Sequence, residues 1–512
     1  MSAKLNGGIK SLVTSGAQEL EDISGQQRRI RGVLAPQTLE DVQKIVRWAS
    51  QNPGTRLQPI SCGNNWGFGS HLPADQNAYI LDLSSLNRIR RLALSDGYVE
   101  LEPGVTQGKL DSALESEKRT HYFNVTGAGT ETSILGNALE RGIGYFGSRH
   151  EDLLDLEVVL TSGEIIHTGY LPNTPFHTGL GPNLTNLFIQ STLGIVTAAK
   201  VRLFKRPECM GGLLIKPRDT IAITRLVEVL TELQAEGHIR SVPHLGNRQR
   251  AYVTFGPYVP LESRSALSSS LTSWTAVLPI SGSIESVRCL SDHFVSRLQK
   301  LASCELICSR DQSQGLWIHS LLDLCQGIPS NIALPGVSFA ALGQVEKDIP
   351  HLEKGSAGLI HVAPSCSPKR KDLDQLLALV GKTQKQYAVS DLPMTINLVN
   401  SGMAVVVISI PFQRQNATDK SNAIEFAEAL KKGFFDQGFS PYRLGLSDSS
   451  LLPAQPAARS ALLESLRKVF DPQGILCRSK YERLSGTNLT RNTPEDDSFE
   501  HLNGSSAELL CV

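Results

Sequence analysis

The sequence lacks the features that mark several large classes of protein. It has 512 residues and, with 50 basic and 50 acidic side chains, no net charge, so no overall field attracts it to nucleic acid or anionic lipid. No stretch approaches the roughly 18 apolar residues of a membrane span. The opening MSAKLNGGIKSLVTSGAQELED contains no secretory hydrophobic segment. We expect a cytoplasmic protein that binds neither nucleic acid nor membrane.

Cysteine is sparse and scattered. The nine cysteines are odd in number and spread along the chain, which argues against a disulfide framework. Cys304 and Cys308 lie close together, but no histidine or second cysteine pair near them in sequence completes a zinc site. We therefore predict no metal centre. There is no internal repeat, and the length predicts two domains or more.

The first two hundred residues predict one α+β unit. Residues 36–50, PQTLEDVQKIVRWAS, have the spacing of an amphipathic helix, with Thr38 as N-cap and Asp41 three residues later. The segment LEVVLTSGEIIHTG, residues 156–169, predicts a β-hairpin in which Gly163 supplies the positive φ of the turn. Short β-forming runs predict strands at 57–61, 78–84, 97–106 and 193–207, with a helix at 108–114.

Beyond residue 210 the pattern predicts a second α+β domain. A helix is also expected from 459, stopped by Asp471-Pro472 and followed by a short strand, and the polar, aperiodic tail from about 485 predicts disorder. Between 211 and 440 the pattern predicts helices at 224–237 and 421–435 and strands at RAYVTFG (250–256), AGLIHVAPS (357–365) and AVVVISIPF (404–412).

Two glycine-rich stretches could hold phosphates. GAGTETS, residues 127–133, precedes a helical pattern and imitates the start of a dinucleotide-binding Rossmann motif. Thr132 stands where the third glycine is needed, and a hairpin follows in place of a second βα unit, so a nicotinamide domain is not expected.

The stretch PISCGNNWGFGS, residues 59–70, is the better candidate. Successive backbone amides can form an anion-binding concavity, and glycines let the main chain approach the oxygens closely. Ser61, Asn64 and Asn65 add side-chain donors. The alternative is an ordinary Gly/Asn-rich turn that binds nothing.

These segments, taken in order, give the chain a family resemblance. The helix ending in RWAS, then PISCGNNWGFGS, YILDLSSLNRI, YVELEPGVTQGKL, TSILGNALERGIGY, LEVVLTSGEI, NLFIQSTLGIVTAAKVRL, GFSPYRLGLSD and VFDPQGIL together resemble the FAD-binding flavoproteins of the vanillyl-alcohol oxidase and p-cresol methylhydroxylase family. The resemblance implies an α+β fold, with a two-part PCMH-type FAD-binding domain and an α+β substrate (cap) domain. The implied division is an N-terminal segment at 1–28, the FAD-binding domain at 29–210, the cap at 211–440, a return to the FAD domain at 441–484 and a disordered tail at 485–512.

The resemblance also implies which residues hold FAD. The loop around residues 61–65 would surround the diphosphate with backbone dipoles in place of Lys or Arg, and TSILGNALERG would continue the cradle. Ile195 and Val196 would offer backbone groups to the adenine or flavin edge, although apolar strand residues are usually core. The implied FAD-binding residues are Ser61, Cys62, Gly63, Asn64, Asn65, Gly69, Ser133, Gly136, Asn137, Gly142, Ile195 and Val196.

In this family a Tyr-Arg pair holds the phenolic oxygen of the substrate, and Tyr442 and Arg443 in SPYRLGL stand at the matching place. The alternative is that Arg443 pairs with a carboxylate and Tyr442 only packs. Phe68 replaces the family's second phenolate-binding tyrosine, and no carboxylate precedes Glu131 where the family's assisting aspartate is expected. A simple para-alkylphenol substrate is therefore not expected, and Tyr145 is the candidate for the missing polar group.

Some family members bind flavin covalently, through a histidine or tyrosine of the cap or a histidine of the glycine loop. Here the loop position is Asn64, which cannot form the bond, and the matching cap position is Leu359. The side chains of His361 and Leu359 point to the same face of the strand. His361 is therefore either the attachment site or a buried, hydrogen-bonded histidine. We favour non-covalent FAD.

The resemblance implies an FAD-dependent oxidase or dehydrogenase. It would take hydride from a C–H bond of a small, possibly phenolic or secondary-metabolite, substrate to flavin N5, with O2 or an electron carrier as acceptor. The alternatives are an oxidative cyclase or other tailoring enzyme, and a flavin-binding module without catalysis. A homo-oligomer is possible.

Overall fold

The computed structural model describes residues 7–169, 181–217, 222–308, 316–347, 351–390, 392–446, 448–452 and 455–482. The chain has an α+β architecture in two parts, as the sequence predicts. Among the described helices, none has an apolar stretch of the length needed to cross a bilayer. The predicted tail from 485 lies outside the described residues.

The first part contains the N-terminal elements. They are α1 (Gly7–Lys10), β1 (Val13–Ser15), β2 (Gln18–Glu21), β3 (Gln27–Leu34), α2 (Leu39–Gln51), β4 (Leu57–Ile60), β5 (Ala78–Asp82), β6 (Ile89–Ala93), β7 (Tyr98–Leu101), α3 (Gln107–Ser116), β8 (His121–Tyr122), α4 (Ile134–Leu139), β9 (Ile143–Gly144), β10 (Gly147–Ser148), β11 (Leu153–Val159), β12 (Ile165–His167), β13 (Ile195–Arg202) and β14 (Phe204–Lys205).

The second part, which we call the cap, and the C-terminal helix follow. They are β15 (Cys209–Pro217), α5 (Ala222–Ala235), β16 (His244–Asn247), α6 (Arg248–Phe255), α7 (Arg264–Ser270), β17 (Trp274–Gly282), α8 (Ile284–Leu298), β18 (Ala302–Ile307), α9 (Leu316–Cys325), α10 (Pro335–Leu342), β19 (Ala357–Val362), β20 (Pro364–Cys366), α11 (Arg370–Gln386), β21 (Met394–Asn400), β22 (Met403–Gln413), α12 (Ala417–Asp436), β23 (Ser440–Pro441) and α13 (Ala457–Phe470).

The first part contains two five-stranded sheets and the two-stranded pairs β9-β10 and β8-β14. One has the order β1-β3-β5-β4 with β2 added on β3, and the other has the order β12-β11-β13-β7-β6. Helix α2 begins where predicted, because the Thr38 side chain accepts a hydrogen bond from the Asp41 amide at 3.2 Å. Its apolar face, which includes Val42, Ile45 and Val46, is fully buried.

The C-terminal segment returns to the first part after α13. The Asp471 carboxylate accepts hydrogen bonds from the amides of Ile475 and Leu476, at 2.8 and 2.9 Å, and so turns the chain. Leu476 then forms a parallel bridge with Leu57, at the start of β4. The residues after Leu476 are thereby placed beside the glycine-rich loop that follows β4.

The cap is built on one sheet of order β18-β15-β17-β16-β21-β22-β20-β23, with β19 also paired to β22. Alternate residues of its central strands pack in one apolar core with α5, α8, α11 and α12. The opposite face carries His244, Asn397, Ser409 and His361, since His244 is paired with Asn397 and His361 with Ser409. We call these four residues the polar cap face.

Most element predictions are confirmed, and two are wrong. The hairpin forms from β11 and β12, with Gly163 at φ 85°. RAYVTFG is not a strand but part of helix α6, because the Asn247 side chain accepts from the Arg250 amide at 2.8 Å and caps the helix. The strand predicted at 193–207 is interrupted at Leu203, after which β14 pairs with β8 in another sheet.

Candidate active site

A cleft crosses the first part, between the loop after β4, helix α4 and the C-terminal segment. Gly142 and Ile195 do not line it: Gly142 packs against the Asn137 side chain, and Ile195, the first residue of β13, is buried in an apolar core. The predicted residues that do line it are Ser61, Cys62, Gly63, Asn64, Asn65, Gly69, Ser133, Gly136, Asn137 and Val196.

The glycine-rich loop, residues 61–70, presents unused backbone donors to the cleft. The amides of Ser61, Cys62, Gly63 and Asn64 form no hydrogen bond with an acceptor in the described part of the chain. Gly63 has a φ of 70°, a value that glycine adopts without strain. A run of such amides is an anion-binding concavity.

Helix α4 lies directly against this loop. The Ser133 hydroxyl caps the helix by accepting from the Gly136 amide at 2.9 Å, and it donates to the Pro103 carbonyl at 2.6 Å. A Cβ on Gly136 would lie 2.1 Å from Oγ of Ser61, so only glycine allows this approach. The Asn137 side-chain oxygen accepts from buried Arg149 at 3.2 Å.

The C-terminal segment contributes a charged group that the sequence analysis missed. Nζ of Lys480 lies 3.2 Å from Oε2 of Glu140 and donates to the Phe68 carbonyl at 3.0 Å. The Tyr481 hydroxyl donates to the same Glu140 oxygen at 2.5 Å. Burial alone would raise the pKa of Glu140, but Lys480 and Arg443 hold it below its usual value. The sequence CRSKYERL, which follows the turn at Asp471 and the bridge at Leu476, was the available signal.

Arg443 connects the loop to α4. Its Nε donates to the Glu140 carbonyl at 2.6 Å, Nη1 to Oδ1 of Asn65 at 3.2 Å and Nη2 to the Asn137 carbonyl at 3.4 Å. The guanidinium also stacks over the Tyr442 ring, with its carbon 5.1 Å from the ring centroid. Arg443 therefore contacts three residues that line the cleft.

Tyr442 is placed beside Arg443, but its hydroxyl is already engaged. It donates to the carbonyl of Arg141, and burial raises the pKa of Tyr442. The phenol group stays protonated at neutral pH and acts as a hydrogen-bond donor.

The polar cap face meets the first part at two rings. Tyr145, in the turn between β9 and β10, stacks on His244 with ring centroids 4.1 Å apart. His361 lies against Phe68 at 5.4 Å, and its Nδ1 is 3.3 Å from Oγ of Ser409. Burial lowers the pKa of each histidine to about 4, so both are neutral at pH 7. The candidate residue Tyr145 therefore lies at the junction of the two parts.

Phe68 lies between the cleft and the cap junction and contacts both. Its ring contacts His361, while Phe68 itself lines the cleft near Gly69 and Leu446. Leu359, the other candidate for flavin attachment, is buried with Trp66 in a small cluster at the same edge of the loop. Both sides of the junction are thus in contact with the glycine-rich loop.

A possible metal-binding cluster lies elsewhere, on the cap. Glu236, His238 and His293 have ligand atoms within 4.8 Å of one another. Glu236 already pairs with Arg297 at 3.2 Å and with His238 at 3.8 Å, and these contacts account for the cluster without an ion. The cysteines that the structure describes are free thiols.

The donor set of the cleft fits FAD. The unused amides of the glycine-rich loop can donate hydrogen bonds to a diphosphate. Gly136 allows α4 to lie close to this loop. The cleft also contains Arg478 and Lys480, so its positive groups are not limited to backbone dipoles as the sequence analysis expected. The neutral rings of Phe68 and Tyr145 provide flat contacts toward the cap.

Comparisons with known proteins agree with this fit. Residues 30–169 match a family described as FAD binding domain. The chain is 25% identical to 1'-carboxy-chondrochloren decarboxylase of Chondromyces crocatus, covering 89% of this chain and 91% of the relative. It is 22% identical to the flavoprotein subunit of 4-cresol dehydrogenase [hydroxylating] of Pseudomonas putida, covering 86% and 85%.

The fold has a counterpart among solved structures. The structure of p-cresol methylhydroxylase with substrate bound matches with a TM-score of 0.78 at 20% identity, covering 90% of each chain. In sequence and in fold the chain is thus similar, over most of its length, to the flavoprotein of p-cresol methylhydroxylase. The chain is an FAD-dependent oxidoreductase, and FAD is its cofactor.

Proposed function

We propose that this enzyme removes a hydride from a C–H bond of a small organic substrate, phenolic or another secondary metabolite, bound between the cleft and the polar cap face. The observation that carries the proposal is that Phe68 lines the cleft while its ring contacts His361 of the polar cap face. FAD, when bound, supplies the hydride acceptor at N5. The protein's task is to orient the substrate and stabilise its charge.

We expect Arg443 to stabilise an anion mainly through the electrostatic field of its positive charge, and less by donating a hydrogen bond to it. Its Nε, Nη1 and Nη2 already donate to oxygens of Glu140, Asn65 and Asn137. A guanidinium keeps its charge at any working pH, so a developing negative charge nearby is favoured. Tyr442 could donate to a substrate oxygen only by giving up its bond to the Arg141 carbonyl.

Tyr145 is the remaining candidate for contacting substrate. Its ring is fixed on His244 at 4.1 Å, and burial raises the pKa of Tyr145, so its hydroxyl is a donor at neutral pH. We propose Tyr442, Arg443 and Tyr145 as the polar groups that orient the substrate. The proposed acceptor of the electrons is O2 or a carrier, and a cytoplasmic location and a homo-oligomer are also proposals.

A panel of substrates tests this function. The purified protein should be yellow, and mixing it with candidate phenols, alcohols and acids under nitrogen should bleach the flavin absorption with at least one of them. A preparation that holds FAD but is bleached by no compound of the panel would contradict the proposal. The product, analysed by mass spectrometry, identifies the bond that has reacted.

Oxidative decarboxylation is a second candidate. It is favoured by the relative that is named a decarboxylase and that aligns with 89% of this chain. The two reactions differ in product, because a simple oxidation keeps every carbon atom and a decarboxylation releases CO2. A ring-closed product without loss of carbon would indicate oxidative cyclisation instead.

A further inference from the structure

Among the residues that the structure describes, none supplies a carboxylate partner for Arg250, a cation at the cap junction. It lies in the first turn of α6, directly after β16, and its side chain passes beside Gly246, where a Cβ would lie 3.2 Å from Cγ of Arg250. Gly246 is two residues after His244 and points to the same face of the sheet. Arg250 is therefore on the side of the cap that carries the polar cap face.

The charge of Arg250 acts on groups from three different elements. It opposes protonation of His244 on β16 and of His361 on β19, and it favours ionisation of Tyr145 in the β9–β10 turn. All three rings surround the junction between the two parts. The guanidinium is thus close enough to all three rings to influence their protonation.

No carboxylate in the described ranges balances this charge, and of the three groups that it affects only Tyr145 could carry a negative charge. Two other partly buried arginines are paired with carboxylates. Arg90 lies 3.0 Å from Glu157, and Arg467 lies 3.1 Å from Glu482. An unpaired guanidinium out of bulk water is costly, and a ligand that supplies the opposite charge removes that cost.

Two further polar atoms at the same face, Nε2 of His244 and Oδ1 of Asn397, are buried without a hydrogen bond of good geometry among the residues described. They lie on paired positions of neighbouring strands, where the two side chains interact with each other, and His244 also interacts with the backbone of Gly144. Polar atoms with such poorly aligned partners keep hydrogen-bonding capacity for a polar ligand beside Arg250.

We propose that the substrate carries a carboxylate and that Arg250 binds it. This inference rests on the proposed function and specifies the substrate class of the same site. A carboxylate is ionised throughout the neutral range, whereas a phenol with a pKa near 10 is not, so a carboxylate balances a permanent guanidinium charge better. Arg443 is less suited to this role, because its donors are already bound to protein oxygens.

The test compares acids with their amides on the FAD-loaded full chain. Benzoate and benzamide, and phenylacetate and phenylacetamide, are titrated by calorimetry and by the change in flavin absorption. At least one acid should bind roughly 10- to 100-fold more tightly than its amide, as expected for a charge-assisted hydrogen bond. If neither pair shows this preference, or if phenol binds as well as the acids, the inference is wrong.

Variants of Arg250 identify the residue responsible. Arg250→Met, which keeps much of the side-chain length, should abolish the preference for acids, and Arg250→Lys should restore part of it. Arg248→Met is the matched control, because Arg248 lies on the same helix but is exposed and donates to the Ser268 carbonyl. If Arg250→Met does not retain FAD, the wild-type and Arg250→Lys titrations still decide the question.

Failure of the proposed function would look different. In that case no compound bleaches the flavin, while the acids still bind in an Arg250-dependent manner. Conversely, if neutral substrates bleach the flavin equally well in wild type and Arg250→Met, the oxidoreductase proposal stands and the carboxylate inference falls.

Discussion

Nη1 of Arg443 donates to Oδ1 of Asn65 at 3.2 Å, so a residue near the C-terminal end of the cap is bonded to the glycine-rich loop of the first part. The same guanidinium donates to the carbonyl oxygens of Glu140 and Asn137. One side chain therefore fixes both walls of the cleft at the place where the proposed substrate site begins.

We expect Arg443→Ala to weaken FAD binding by roughly 10- to 100-fold, because three acceptors lose a charged donor. Turnover should also fall when FAD is saturating, since the positive field near the substrate is lost. FAD binding is measured by flavin fluorescence quenching, and turnover by anaerobic bleaching with added FAD. Turnover that is unchanged at saturating FAD would show that Arg443 only positions the loop.

Gly67 brings the glycine-rich loop into contact with the cap. Its φ is 74°, and a Cβ there would lie 2.7 Å from Cδ2 of His361 and 3.0 Å from the His361 amide nitrogen. We expect Gly67→Ala to reduce the free energy of unfolding by about 1 kcal/mol from backbone strain and by about 2 kcal/mol more from the clash. The melting temperature should fall, and FAD should be lost more readily.

Gly54→Ala is the control for strain alone. Gly54 has a similar φ of 81°, but no atom lies within 4 Å of its Cβ position. Its effect on the melting temperature should therefore be clearly smaller than that of Gly67→Ala. Equal effects in the two variants would mean that the approach of His361 is not a constraint.

Lys480 is expected to support FAD binding through the cleft wall. Lys480→Met removes the cation that pairs with Glu140 and the donor to the Phe68 carbonyl, so we expect about tenfold weaker FAD binding. Lys382→Met, on the exposed side of α11, is the matched control and should bind FAD as wild type does. Fluorescence titration of the apoprotein with FAD measures both, and equal affinities would exclude a role for Lys480.

The parts of the site that sequence analysis could predict depend on local chemistry. The N-cap of α2 at Thr38 and the glycine-rich loop could be predicted, because each depends on residues that are adjacent in the chain. Lys480 could not be assigned this way, because its contact with Glu140 spans hundreds of residues and depends on the turn at Asp471.

Arg250 was missed for a different reason. The residues of RAYVTFG favour a strand by their individual preferences. The segment is a helix because the Asn247 side chain forms an N-terminal capping hydrogen bond with the Arg250 amide. The grouping of His244, Asn397, Ser409 and His361 also depends on strand register, which places distant residues on one face of the sheet. Register between non-consecutive strands is not readable from a single sequence.

Glu353 should make stability depend on pH. Burial raises its pKa to about 7, above its usual value, so the ionised form is disfavoured in the folded state. The free energy of unfolding therefore decreases by an amount on the order of 3 kcal/mol as the pH rises from about 4.5 to about 7. Glu353→Gln removes this loss, so its melting temperature relative to wild type should be higher at pH 8 than at pH 5.

Glu464→Gln is the control for Glu353→Gln, because Glu464 is exposed on α13. Its melting temperature relative to wild type should be the same at both pH values. If the difference in melting temperature between Glu353→Gln and wild type is the same at both pH values, the assignment to Glu353 is wrong.

FAD should be released intact when the protein is denatured by acid. Asn64 cannot form a covalent bond with flavin, and burial raises the pKa of the Cys62 thiol to about 12, so little nucleophilic thiolate is present. His361 is held by Ser409 and Phe68 and does not line the cleft. After precipitation with trichloroacetic acid and centrifugation, the yellow colour is expected in the supernatant. Flavin that stays in the pellet for wild type but not for His361→Ala would instead identify His361 as the point of attachment.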